Sequence, residues 1–212
     1  MDVLHEIITK LDEEQISGES TGLKQTLIYC SSNPSPSEPK GSKVQLEKVQ
    51  DYLNSDIGGK RSHKSITFRD KTVDRAIIMK KFAYGHFDCV PAVKCLDQGV
   101  DIPSVEKAII MASSGNPKQY IQRRGRVLRQ SDVTGKKDAK IYDILVKPPL
   151  PEPNSPIRLQ DRKLVAKELL RHKKFAEDAK NKDDAIKSIE DVAKMHGIDF
   201  KKLSQDWIDK ME

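Results

Sequence analysis

The sequence has little of several things that declare a function early. No apolar run among its 212 residues approaches the eighteen or so that a membrane span requires. The opening Met1-Asp2-Val3-Leu4-His5-Glu6 lacks the basic-then-apolar layout of a secretory signal. A soluble, cytoplasmic protein without a membrane partner is therefore expected. Cysteine is scarce: Cys30, Cys89 and Cys95 are an odd number with no C-x-x-C pair, which supports neither a disulfide framework nor a zinc knuckle and fits a reducing compartment. His63, His86 and His196 show no metal-ligand spacing, so no metal site is expected. Aromatic residues make up 5% of the chain and none clusters with its cations, so no stacking platform for bases is visible. Net charge is a modest +6, from 38 Lys and Arg against 32 Asp and Glu, and permits a nucleic-acid partner without requiring one.

What is present is a regular alternation. Leu4, Ile7, Ile8 and Leu11 recur at helical spacing and predict an amphipathic helix over 2–16, followed by the breaker-rich link Ser17-Gly18-Glu19-Ser20-Thr21-Gly22. This reads as a linker helix, residues 1–22, ahead of a main domain over 23–150. Thr26-Leu27-Ile28-Tyr29-Cys30 predicts a buried strand that ends in a Pro/Ser-rich loop. Leu46, Val49 and Leu53 mark one face of a helix stopping near Gly58-Gly59, and a basic loop runs from Lys60 to Lys64. A second strand is predicted over 65–68. Thr72 is then expected to N-cap a helix whose Val73, Ala76, Met79 and Ala83 share a face and which ends at Gly85. Further strands are predicted over 87–93, 105–111 and 140–146, with a helix over 117–129. Strands alternating with helices imply an α/β fold with an open, mainly parallel sheet. Pro148-Pro149-Leu150-Pro151-Glu152-Pro153 ends the domain. Residues 151–212 read as a Pro-rich linker and a charged helical extension, in which Arg158 to Glu212 holds 14 Lys and Arg against 12 Asp and Glu. Ala185, Ile186, Ile189, Val192 and Ala193 form one apolar stripe there, Gly197 is a C-cap, and Phe200, Leu203 and Trp207 form another stripe.

Charge concentrates in one window. Lys118, Arg123, Arg124, Arg126 and Arg129 are five cations between Ser113 and Gln130, without one carboxylate. Four arginines on one short helix repel one another, so an anion is expected to face them. The planar guanidinium fork binds phosphate oxygens bidentately and stays ionised. Arg126 and Arg129 are three apart and neighbours on one helical face. Earlier, Gly99 permits a sharp bend and Asp101, before Ile102-Pro103, is placed for a ligand hydroxyl beyond a strand's carboxyl end. Either feature alone is also compatible with a solvated helix or an ordinary turn.

Together they are more specific. Asp97-Gln98-Gly99-Val100-Asp101-Ile102-Pro103, then a strand through Met111, then Gln122-Arg123-Arg124-Gly125-Arg126-Val127-Leu128-Arg129 resembles motifs V and VI of the superfamily-2 helicases and translocases, in order and separation. Thr26 to Ser32 resembles the family's motif IV strand. The resemblance covers about residues 23–147 and implies the second of two RecA-like domains, with helices on both faces of the sheet. The phrase from Lys94 to Pro103, with Ser113-Ser114-Gly115-Asn116-Pro117 and the arginine helix, looks most like DNA translocases of the restriction and phage-defence type. By this resemblance Arg126 and Arg129 match arginine fingers reaching the γ-phosphate of ATP. Gln122 lies on the nucleotide side of the same helix, and Gly99 and Asp101 contact the nucleotide sugar. Ser31, Arg69 and Lys94 match nucleic-acid contacts, and the basic loop at Lys60 to Lys64 is a further candidate from charge alone. Two departures stand out. Val93-Lys94 replaces the Thr-Asp found in many RNA-directed members, and the helix reads Gln122-Arg123 and Val127-Leu128-Arg129 where the DEAD-box branch has His-Arg and Thr-Gly-Arg. DNA is thus expected over RNA.

A complete motor also needs G-x-x-x-x-G-K-[ST] and a strand ending in Asp-Glu for magnesium. Gly59-Lys60-Arg61 and Gly135-Lys136-Lys137 lack the hydroxyl residue. Asp12-Glu13-Glu14-Gln15 sits at the end of an amphipathic helix with Lys10 where a buried strand would be apolar, and is a decoy. The expectation is half of a motor: one wall of a site for ATP with Mg²⁺, held mainly by a first RecA-like domain that is the chain's partner, and half of a nucleic-acid track. By itself such a half is expected to be inactive. The alternative is a non-catalytic module that keeps the fold and binds nucleic acid or an acidic protein. An unrelated complete α/β enzyme is disfavoured because no nucleophile-base pair or carboxylate dyad stands out.

Overall fold

The structure, a computed structural model, describes residues 1–31, 41–93, 105–111, 136, 138–150 and 155–211. The chain divides into two compact units, whose described residues are those within 1–144 and those within 145–211.

The first unit is built on four parallel strands, β1 (Thr26–Tyr29), β2 (Cys89–Ala92), β3 (Lys107–Ile110) and β4 (Lys140–Asp143), in the order β2-β1-β3-β4. Every residue of β1, β2 and β3 is buried, which is how a parallel sheet covered on both faces reads in sequence. The expected strand over 65–68 is reduced to two bridges outside β2, His63 with Cys89 and Ile66 with Ala92. The cause is Pro91. Cys89 and Val93 donate their N–H groups to Ser62 and Ile66 on that side, at 3.4 and 3.0 Å. The residue between them in this ladder is a proline, which has no N–H to give.

On one face of the sheet, Ile28, Cys30, Cys89, Val93 and Ile109 share a core with Leu4, Ile8 and Leu11 of α1 (Asp2–Ile16) and Leu46, Val49 and Leu53 of α2 (Gln45–Asn54). The alternate residues Leu27, Tyr29, Val90, Ala92, Ala108 and Ile110 are buried on the other face. Each Leu, Ile or Val side chain among these, taken from water, contributes about 1.5–3 kcal/mol. The apolar stripe of α1 therefore belongs to the core of the sheet. Two ion pairs fix the helix there: Asp12 with Arg61, and Glu14 with Lys140 at 2.7 Å. The latter holds the Glu14 carboxyl below its usual range and raises Lys140. The Asp12-Glu13-Glu14 string is thus helical and structural, as its pattern implied.

α3 (Thr72–Ala83) differs from its expected face. Its buried residues are Met79 and Phe82, while Val73, Ala76 and Ala83 are exposed, and Lys71 occupies the N-cap with Thr72 as the first helical residue. The helix closes as expected: Gly85 has φ +79°, and His86 N–H reaches back to Lys81 C=O at 3.1 Å. β4 also stops short of its predicted end at 146. Ile144 donates the last sheet bond, to Ile110 at 3.1 Å; Leu145 packs into the core of the second unit and Val146 N–H turns to Glu168.

The second unit holds α4 (Leu159–Ala176), α5 (Lys182–Met195) and α6 (Gln205–Asp209). Val165, Ala166, Leu169 and Leu170 meet Ile189, Ala193, Ile198, Leu203 and Ile208 in a separate core. Gly197, φ +63°, ends α5, and the Ser204 hydroxyl accepts from Trp207 N–H to start α6. Arg171, almost wholly buried, pairs with Glu168 at 2.8 Å and approaches His172 Nε2 at 3.3 Å. Burial, with the adjacent Arg171 charge, pushes the His172 imidazole down to about 3. Among the described residues no helix is long and apolar enough to cross a membrane.

Candidate functional site

All strands run the same way, so the chain leaves β1, β2 and β3 at one edge of the sheet. β1 and β3 are adjacent there, and the chain departs from them in opposite directions across the sheet, which makes their carboxyl ends the crevice where open α/β sheets take ligands. Gln45, the first residue of α2, spans it. Its Oε1 accepts Ser31 N–H at 2.7 Å, just past β1, and its Nε2 donates to Met111 C=O at 3.4 Å, just past β3. Gln45 carries no charge and no motif in the sequence, and nothing in the residue pattern marks it. Only the fold shows that one amide joins the two loop roots.

A second feature lies beyond β2. Asp70 Oδ2 accepts both the N–H and the hydroxyl of Thr67, at 2.6 and 2.9 Å, and Arg69 N–H donates to Thr67 Oγ1 at 3.2 Å. Arg75 Nε donates to the Asp70 carbonyl at 3.0 Å, tying this turn to α3. The turn holds Phe68 57% exposed, with the Arg69 guanidinium over its ring 5.6 Å from the centroid. An aromatic residue does, then, cluster with a predicted nucleic-acid contact. Composition does not reveal this, because one aromatic residue beside one arginine leaves no enrichment in the sequence. Phe68 and Arg69 line an open cleft of about 620 Å³ together with Lys64, Thr67, Val93 and the first turn of α2. Two carboxylates border it and both are engaged with backbone amides: Asp70 as above, and Glu47 with Val44 N–H at 3.0 Å.

Of the predicted site residues, Ser31 and Arg69 are described, at the ends of β1 and of the 63–66 segment. β2 lies between the strand and the segment that lead to them. Lys94, Gly99, Asp101, Gln122, Arg126 and Arg129, with the predicted helix over 117–129, lie outside the described residues. The basic loop resolves into unlike members. Lys60 pairs with Asp56 at 2.7 Å, Arg61 is engaged by Asp12 and by the Gly58 carbonyl at 3.1 Å, and Lys64 is exposed. Among the described residues no group of three or more His, Cys, Asp or Glu side chains gathers to hold a metal.

The chain matches the family described as helicase conserved C-terminal domain over residues 6–131, more than half its length. It belongs to that family. The match begins within α1, so most of that helix falls inside the helicase C-terminal domain. The chain is 34% identical over 82 residues to the DNA 3'-5' translocase XPB2 of Sulfurisphaera tokodaii, covering 39% of this chain and 18% of that protein. It thus spans under a fifth of that curated relative. In structure it is similar to the C-terminal part of the Fun30 ATPase domain, with a TM-score of 0.50 at 17% identity, over 68% of this chain and 39% of that one. The helicase domain of Pyrococcus furiosus Hef aligns with a TM-score of 0.43 at 19% identity, over 68% and 25% of the two chains. The α/β, RecA-like helicase C-terminal fold expected from the motifs is the fold observed.

Proposed function

We propose that this helicase C-terminal domain is the second RecA-like half of an ATP-dependent DNA translocase or helicase, cytoplasmic and of the restriction or phage-defence kind. One topological observation carries the reading. Residues 94–104 and 112–135 follow directly on β2 and β3, the two strands flanking β1, so the motif V and motif VI sequences are rooted at the edge where Gln45 bridges Ser31 and Met111. The likeness to a DNA translocase supports DNA as the track.

In this reading Arg126 and Arg129 direct positive charge at the phosphates of a nucleotide, Gln122 orients it, and Gly99 with Asp101 receives its sugar. The donor set suits that ligand, because the window from Ser113 to Gln130 holds cations and no carboxylate. ATP, when bound with Mg²⁺ mainly by a first RecA-like domain, supplies the phosphoryl group that water takes up. Fixed guanidinium groups stabilise the charge that spreads in that transfer, and an arginine finger contributes about 10³–10⁵ in rate. Ser31, Arg69 and Lys94 hold strand phosphates, in contacts that are sequence-tolerant and salt-sensitive.

The test is DNA-stimulated ATP hydrolysis by the chain combined with a first RecA-like domain. Arg126→Ala and Arg129→Ala are each expected to reduce turnover by about 10³-fold or more with unchanged thermal melting. The chain alone is expected to hydrolyse no ATP; hydrolysis by a verifiably pure sample, or near-normal turnover in either variant, would overturn the assignment.

A further inference from the structure

We infer that Phe68 is a stacking platform for one base of single-stranded DNA, with Arg69 holding the phosphate beside it. This rests on the reading of the carboxyl edge as a nucleic-acid track. The first support is the cost of the arrangement. A phenylalanine that is 57% exposed forgoes much of the stabilisation its burial would bring, yet the turn presenting it is tied by the Thr67, Arg69 and Arg75 hydrogen bonds already described. The backbone that carries the ring is therefore held in one turn, which lowers the ordering cost of a partner stacking on it.

The second support is charge. Arg69 lies over one face of the ring, and Lys64 is exposed on the same cleft. Among the described residues no carboxylate pairs with either cation, while Glu47 and Asp70 are occupied by backbone N–H groups. An apolar peptide would satisfy the ring and bring no anion to either cation, neither of which has a carboxylate paired with it among the described residues. A nucleic-acid strand satisfies all three, with a base for the ring and phosphates for Lys64 and Arg69. The third is continuity: Val93 lines the same cleft, and the next residue is Lys94, an expected phosphate contact.

The experiment is fluorescence anisotropy of the 212-residue chain with labelled oligo-dT and with the same strand carrying abasic sites. Phe68→Ala is expected to bind oligo-dT roughly tenfold more weakly and the abasic strand almost as the parent does, with Phe68→Trp restoring the difference. Arg69→Ala is expected to weaken both strands alike and lower the salt slope by about 1. Because Phe68 is exposed, unchanged circular-dichroism melting accompanies these effects. A parent chain that binds oligo-dT while Phe68→Ala matches it within about twofold, or loses equally on the abasic strand, would overturn the stacking role alone. A parent chain that binds neither strand would overturn the track reading along with it.

Discussion

Arg61 and Arg69 sit eight residues apart in a stretch where charge alone makes every cation a phosphate candidate, and packing separates them. Arg61 is engaged on two sides, by Asp12 from α1 and by the Gly58 carbonyl. Arg69 has its guanidinium over an exposed ring and points into a cleft. Arg61→Ala is therefore expected to cost about 1.5–3 kcal/mol in urea denaturation, the worth of a charged hydrogen bond lost from a partly buried carboxylate, and to leave the salt slope of DNA binding unchanged. Lys64→Ala is expected to do the reverse, lowering the slope by about 1 without a stability change. No local window makes this distinction. Asp12 is 49 residues from Arg61, and a reading confined to Lys60 to Lys64 sees only neighbouring cations.

At the scale of elements, α1 behaves as part of the sheet. Its Leu4, Ile8 and Leu11 are buried among residues of β1, β2 and β3. Leu11→Ala is expected to destabilise the first unit by about 2–5 kcal/mol, measured by urea denaturation, as for a leucine cut from a packed core; a helix that merely linked domains would give almost no change. The amphipathic stripe was legible, but not what it would pack on. The same limit applies to α3, where Val73, Ala76 and Ala83 are apolar yet exposed and the helix buries Met79 and Phe82. Apolar residues recur around that helix, so its periodicity names no single face. α2 was read correctly because Leu46, Val49 and Leu53 have polar neighbours on every other side. The edge segment at 63–66 was visible as a strand by composition, whereas its reduction to two bridges depends on Pro91 in the strand it meets.

At the scale of the molecule, the motif strings named the family without any coordinates, because phosphate chemistry requires particular residues at particular spacings. What they did not reveal was the turn behind Phe68, or Gln45 across the crevice, whose reach from Ser31 to Met111 exists only once distant strands are aligned. The two units also differ in chemistry as well as in core. All three cysteines fall before residue 145, and the helical unit has none. Cys30 and Cys89 are buried free thiols in the sheet core, and burial pushes both thiols up, Cys30 to about 12. Neither forms reactive thiolate at neutral pH while the sheet is closed. With Cys95 replaced by serine, a coloured disulfide reagent concentrated enough to outpace reclosing is expected to label both thiols at one shared rate, equal to the rate at which the first unit opens. Unequal rates would show the sheet fraying strand by strand. The first unit thus contains its own stopwatch, started by opening.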